Sequence, residues 1–238
     1  MPDALFADPR LARLYDALDP DRGDLDVYAA IVDELGVRRA LDIGCGTGTF
    51  ACLLASRGID VVAVDPAVAS LDVARGKPGA GLVTWVAGDA TALPPLQVDL
   101  ATMTANVAQV FLTDEEWDAT LRAARAALRP GGTLVFETRV PARRAWERWT
   151  REHTLHRADV PGVGVVETWL EVTEARDGLV SFTATYAFAD GTVLTSGSTL
   201  RFRERAEVEV SLDRAGFTAV EVRDAPDRPG LEWVFLAR

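Results

Sequence analysis

Apolar positions along this chain change period several times, and each change marks an element. In DLDVYAAIVDELG, residues 24–36, Tyr28, Ile31, Val32 and Leu35 recur at the spacing of one helix face and Gly36 supplies a stop. A short helix is expected before it, over 9–18. RALDI (39–43) then reads as a strand, 47–57 as a helix closed by Gly58, DVVAVD (60–65) as a strand and 66–75 as a helix. GLVTWVAGD (81–89) and VDLATMT (98–104) are a third and fourth strand. The capping box at Thr113 and Glu116 opens a helix over 113–128, RPGG makes a sharp turn, and TLVFET (133–138) is a fifth strand. Strands this continuous in aliphatics, alternating with helices, predict a mostly parallel sheet covered on both faces.

The pattern changes after Arg139. Residues 141–160 read as helical, and three β-type runs follow, VGVVETWLEVTEA, LVSFTATYAFA and TVLTSGSTLRFR, separated by RDG and DG turns. Such turns predict an antiparallel meander. A helix over 204–215 and two closing strands, TAVEVRD and LEWVFLAR, end the chain. The organisation expected is an α/β core over 1–140 and 204–238, with 141–203 inserted as a helix and β-meander covering the substrate.

Composition narrows the partners. With 238 residues, 48% of them apolar, the chain can fill a large core, and its net charge of −11 argues against a nucleic-acid footprint. No signal peptide or bilayer-spanning run is apparent, so a soluble cytoplasmic protein with a small-molecule partner is expected, as a monomer or a homodimer. Cys45 and Cys52 lie far from His153 and His156, at spacings unsuited to zinc, and no metal is expected.

RRALDIGCGTGTF places Gly44, Gly46 and Gly48 directly behind a strand, a design that lets backbone approach a ligand. Gly46, Gly48 and Ala51 satisfy the G-x-G-x-x-A spacing of dinucleotide folds, and Asp65 follows Gly46 by 19 residues, where a ribose-binding acid belongs. Charge separates the rival ligands. Asp42, Asp65 and Asp89 gather at the C-terminal edge of the sheet, and no Lys or Arg lies between Asp42 and Ser56. Those anions repel a diphosphate and suit a cationic guest.

The chain resembles the class I S-adenosylmethionine-dependent methyltransferases, whose Rossmann-like, doubly wound, seven-stranded sheet ends in an antiparallel hairpin. The resemblance covers about 25–140 and 204–238. LDIGCGTGTF is similar to the family's cofactor loop, VVAVDPA to its ribose motif, VAGDATALP to its adenine motif, and LRPGGTLVFET to its turn and fifth strand. It implies S-adenosylmethionine as methyl donor and S-adenosylhomocysteine as product. It also implies Gly44, Gly46 and Gly48 against the methionine moiety, with Asp42 anchoring the loop and the ammonium. Asp65 is implied on the ribose, Asp89 and the Ala90 amide on the adenine edge, and Pro66 on the adenine face. Thr104 to Asn106 are implied beside the sulfonium, and Tyr15 over the cofactor carboxylate. The segment MTANVAQ departs from the Asn/Asp-Pro-Pro-Tyr motif of the subset that methylates amides and nucleobases, which disfavours those acceptors.

The residues themselves leave several roles open. Glu137, at the end of the fifth strand, and His153, His156 and Glu167 are candidate general bases, although the histidines also suit a plain helix surface and Glu137 could simply bond loop amides. Trp146, Trp149, Trp169, Phe182, Tyr186 and Phe188 line an acceptor pocket or fill a core. Arg139, Arg143, Arg144, Arg148 and Arg151 form the one basic cluster; Arg139 or Arg143 pairs with an acidic acceptor, or the cluster is a solvated face. An NAD(P)-dependent oxidoreductase and a non-catalytic S-adenosylmethionine sensor are the alternatives to a small-molecule methyltransferase.

Overall fold

The computed structural model describes residues 2–238. Three short helices, α1 (Ala4–Ala7), α2 (Pro9–Ala12) and α3 (Tyr15–Leu18), precede α4 (Asp24–Leu35). The alternating core runs β1 (Arg39–Ile43), α5 (Thr49–Ser56), β2 (Asp60–Asp65), α6 (Val68–Arg75), β3 (Val83–Ala87), β4 (Val98–Met103), α7 (Asp114–Ala127) and β5 (Leu128–Arg139). After the short helix α8 (Arg151–Thr154) come β6 (His156–Val160), β7 (Gly164–Arg176), β8 (Leu179–Phe188) and β9 (Val193–Arg201). Helix α9 (Arg205–Arg214) and strands β10 (Val220–Asp224) and β11 (Glu232–Ala237) complete the chain.

The main sheet has seven strands in the order β10-β11-β5-β4-β1-β2-β3. Strands β1 to β5 run parallel, and β11 runs antiparallel to both β5 and β10. Strand order reverses between β1 and β4, where ligands of open α/β sheets bind beyond the carboxyl ends. Side-chain alternation sorts the two faces. Leu41, Leu134, Phe136 and Phe235 pack with Trp117 and Leu121 of α7 and Leu212 of α9. Ala40, Val135, Val234 and Leu236 pack on the other face with Leu25 and Tyr28 of α4 and Phe50 of α5. Period-two geometry therefore places Asp42, Glu137 and Glu232 on the α4 face, at the edge where the apolar packing stops.

Three expectations are corrected. Residues 141–160 do not form one helix: two 3₁₀ turns, Pro141–Arg143 and Ala145–Arg148, precede α8, and 156–160 pair with β7 as a strand. The left-handed backbone at Arg144 (φ 46°) interrupts the run. The meander gains a fourth strand, giving a separate sheet ordered β6-β7-β8-β9. Third, the expected helix over 9–18 is broken between α2 and α3, and these pieces also pack on the second sheet: Leu11 and Leu14 pack with Val160, Val166, Ala184 and Tyr186. The Leu5 amide also donates to Ser196 on β9 (2.8 Å). Chain start and insertion thus share one core. The capping box stands as read, the Glu116 amide donating to Thr113 (3.2 Å) and the Thr113 amide to Glu116 (3.3 Å).

Candidate active site

The glycine loop leaves β1 at the reversal point, and four of its amides are already engaged. Gly44 and Cys45 both donate to the Val64 carbonyl (2.8 and 3.2 Å), Gly46 to the Asp65 carboxylate (2.8 Å) and Gly48 to the Cys45 carbonyl (2.8 Å). These four amides do not form a cradle of free donors for a diphosphate. Behind them Asp42 is 1% exposed; one oxygen accepts from Thr102 (3.0 Å), while Oδ2 has no partner among the described residues. Burial pushes its carboxyl up to about 7, against the lowering effect of the Thr102 hydrogen bond. A cation arriving there would satisfy the unpaired oxygen and hold the group ionised. The loop is tied to α3 by Asp16, which accepts from Thr47 (2.8 Å) and Thr49 (3.1 Å) and pairs with Lys77 (2.7 Å).

Beside this loop, beyond β4 and β5, opens a polar cavity of about 140 Å³. Its wall includes Tyr15, Tyr28, Asn106, Glu137, Arg139 and Glu232. Glu137 is 3% exposed; Oε2 accepts from the Tyr28 hydroxyl and Oε1 from the Asn106 amide. Burial pushes Glu137 up to about 7, those two hydrogen bonds opposing the rise and nearby Glu232 adding to it. Burial and the Glu137 carboxylate in turn raise Tyr28, which stays a protonated donor. The Asn106 side-chain amide donates to Glu232 (3.2 Å), which Arg228 also engages (3.0 Å). Arg139 donates to Gln109 (2.9 Å) and stands over the Trp149 ring at 5.5 Å.

The predicted residues divide accordingly. Tyr15, Asn106, Glu137 and Arg139 meet in the cavity, while Asp42, Gly44, Gly46, Gly48 and Asp65 surround the loop, with Thr104 buried just before the Ala105–Asn106 turn. Asp89 is exposed and caps its own turn, accepting from the Thr91 amide (2.8 Å); Ala90 is buried behind it and Pro66 is exposed. His153 and His156 are not brought to the cavity: both are exposed, and His153 bonds Thr150 (3.0 Å) because it sits in the first turn that Thr150 caps. Tyr186 packs in the core of the second sheet, because β8 turns it toward Leu11 and Leu14. Trp169 bonds Glu171 (2.9 Å) under the Arg151 guanidinium, and Trp146 packs on Phe202 at 4.5 Å; neither lines the cavity. Arg143 bonds the Gly230 carbonyl (2.8 Å), also outside it.

Sequence reading missed Asp19, Arg22, Asp24, Tyr28, Asp227, Arg228 and Glu232, all of which line the cavity. Tyr28 fits a helix stripe, so its hydroxyl gave no separate signal. Glu232 did carry one: a carboxylate on the inward side of an otherwise apolar strand, in register with Arg139.

The fold and the loop define a class I methyltransferase architecture. Comparison with known proteins agrees: residues 40–132 match the family described as Methyltransferase domain. A curated relative, the cypemycin N-terminal methyltransferase of a Streptomyces species, is 38% identical over 106 residues, spanning 44% of this chain and 43% of that protein. The chain spans half or less of the length of the curated relatives it matches. Among solved structures, an S-adenosylmethionine-dependent methyltransferase from Clostridium acetobutylicum superimposes with a TM-score of 0.78 at 18% identity, covering 96% of this chain and 97% of that one. The S-adenosylmethionine-bound CalS10 of Micromonospora echinaspora, an amino pentose methyltransferase, gives 0.73 at 24% identity, over 94% and 97%. Residues 40–132 are thus similar to a methyltransferase domain, and the chain shares the fold of these S-adenosylmethionine-dependent enzymes.

The site fits that cofactor. Asp42 offers the unpaired oxygen an ammonium needs, and an added Cβ at Gly46 would meet nothing within 4 Å, so the loop presents an open face. Asp65 accepts one amide on each oxygen, from Gly46 and Ala67 (2.7 Å), and keeps a lone pair on each for ribose hydroxyls.

Proposed function

We propose that the protein transfers a methyl group from S-adenosylmethionine to a small polar acceptor held in the cavity beside the glycine loop. The observation that carries this reading is the pairing of a loop in which the Gly44, Cys45, Gly46 and Gly48 amides are engaged with a buried, half-satisfied Asp42: such a site suits a cationic headgroup better than a diphosphate. The sugar-modifying CalS10 among the similar folds suits an acceptor of that size.

When bound, S-adenosylmethionine supplies an electrophilic methyl carbon that leaves sulfur as a neutral thioether once an acceptor lone pair has bonded to it. The chain's own work is to hold the acceptor in line and keep water out, which supplies about 7–11 kcal/mol of such a barrier. Glu137 takes the proton the acceptor gives up, at the carboxylate that Tyr28 and the Asn106 amide hold in place. Arg139, braced by Gln109, orients the acceptor's oxygens, and Tyr15 closes the cavity from the side of α3. Residues 141–203 act as the acceptor cover together with α1 to α3.

Calorimetry with S-adenosylhomocysteine and with NAD tests the donor, and labelled-methyl transfer to amines, phenols, carboxylates and thiols tests the reaction. Binding of S-adenosylhomocysteine and transfer to one class are expected. Binding of NAD alone defeats the reading. Because a base works ionised, the rate should climb as pH rises through about 7, and Glu137→Gln should lower kcat by about 10²- to 10⁴-fold.

A further inference from the structure

Two consecutive non-glycine residues at the end of β4, Ala105 (φ 57°) and Asn106 (φ 61°), hold left-handed backbone. Asparagine tolerates this conformation better than most residues, alanine poorly, so the turn is held by what it delivers. It delivers Asn106 to the cavity wall, 5% exposed, with its backbone amide on Glu137. Its side chain is fixed at one end only. Nδ2 donates to Glu232, while Oδ1 is buried with no partner among the described residues. The orientation of the amide follows from that contact: turned over, it would set its oxygen against the Glu232 carboxylate. The free oxygen is therefore an unpartnered hydrogen-bond acceptor within the wall of a cavity whose lining holds another acceptor, the Glu137 carboxylate.

We propose that Asn106 is the residue that selects the methyl acceptor, and that the acceptor is a small amine. The inference rests on the methyltransferase reading and names its substrate class. A group placed between Asn106 Oδ1 and Glu137 must offer a hydrogen to the amide oxygen and a second to the carboxylate. A primary amine or ammonium offers two or three, a hydroxyl only one, and a thiol one weak one. A carboxylate offers none and adds repulsion. Charge points the same way, since the cavity wall carries five carboxylates, Asp19, Asp24, Glu137, Asp227 and Glu232, against the guanidiniums of Arg22, Arg139 and Arg228. All three guanidiniums are turned onto wall carboxylates, Arg22 onto Asp24 (3.0 Å), Arg228 onto Glu232 (3.0 Å) and Arg139 onto Glu232 (3.8 Å). The step balances: an ammonium gives one proton to Glu137, the freed lone pair forms the N–C bond as the C–S pair leaves with sulfur, and the cationic product nitrogen is released or gives up a further proton to water.

The test uses matched pairs that differ only at the reacting position, glucosamine with glucose and 2-aminocyclohexanol with cyclohexane-1,2-diol. Binding is followed by calorimetry in the presence of S-adenosylhomocysteine, and turnover with labelled S-adenosylmethionine. The wild-type protein should prefer the amine of at least one pair by tenfold or more. Asn106→Gly keeps the left-handed backbone and the amide bonded to Glu137 but removes Oδ1; it should raise the amine KM, or its Kd, by about tenfold and leave S-adenosylhomocysteine affinity in place. Equal handling of amine and hydroxyl partners, transfer to phenols or carboxylates instead, or neglect of every amine overturns the proposal. So does a loss of S-adenosylhomocysteine affinity in Asn106→Gly matching the amine loss, since the oxygen then serves the cofactor. Failure of the wild type to bind S-adenosylhomocysteine is a separate result, which removes the methyltransferase reading itself and the amine proposal with it.

Discussion

Gly46 and Gly48 hold the same left-handed backbone, with φ of 52° and 75°, yet differ in what surrounds the missing side chain. An added Cβ at Gly48 lies 2.4 Å from the Trp85 ring and 2.8 Å from Ala74 Cβ; at Gly46 it meets nothing within 4 Å. Alanine at either site takes on the left-handed cost, about 1–2 kcal/mol. Only Gly48→Ala also overpacks the interior, adding about 1–3 kcal/mol, because an indole ring and a methyl on α6 cannot swing away. It should therefore melt below Gly46→Ala by roughly 2 to 12 °C, at 2–4 °C per kcal/mol for a chain of this size. Ligand affinity should rank the two the other way. At Gly46 the new methyl stands in the open space where the cofactor approaches, and a clash of about 1–3 kcal/mol weakens S-adenosylhomocysteine roughly 5- to 150-fold. Gly48→Ala, whose methyl points into protein, should lose less. Thermal unfolding and calorimetry on the two variants read both quantities. Equal melting temperatures, or unchanged affinity in Gly46→Ala, would refute the assignment of one glycine to packing and the other to the ligand.

Two further outcomes follow from the same geometry. Asp42 has its carboxyl near 7 in the free protein, and an ammonium at Oδ2 stabilises the ionised form; below that pH binding must first expel the Asp42 proton. S-adenosylhomocysteine affinity should accordingly rise from about pH 6 and level off near about 8, and Asp42→Asn should flatten the profile, as calorimetry across that range would register. Leu14 is fully buried between α3 and the second sheet, so Leu14→Ala should destabilise the protein by about 2–5 kcal/mol, or roughly 4 to 20 °C in a melting experiment.

The core was legible because its signals are local. Glycines at 36, 58 and 216 close helices, Thr113 and Glu116 cap one, and the aliphatic strands announce a two-faced sheet. The cavity was not, because its residues meet through contacts that sequence spacing does not encode. Tyr28 and Glu137 are separated by 109 positions, and Asn106 and Glu232 by 126. The aromatic residues of the insertion misled for a related reason: Tyr186 and Trp146 look like pocket walls until the second sheet supplies a core of its own for Tyr186 and Phe202 pairs with Trp146. The left-handed backbone at Arg144 breaks the expected helix, and no hydrophobic period reveals a break made by one residue.

The proposed acceptor cover is assembled from two distant pieces of chain, with Leu11 and Leu14 filling the same core as Val166 and Ala184 of the second sheet. Moving residues 141–203 alone into another scaffold would transplant an open apolar surface with its plug left behind. On the proposed function, re-engineering of acceptor choice must carry residues 2–22 along with the insertion, since Tyr15 and Arg22 stand in the same cavity wall as Arg139.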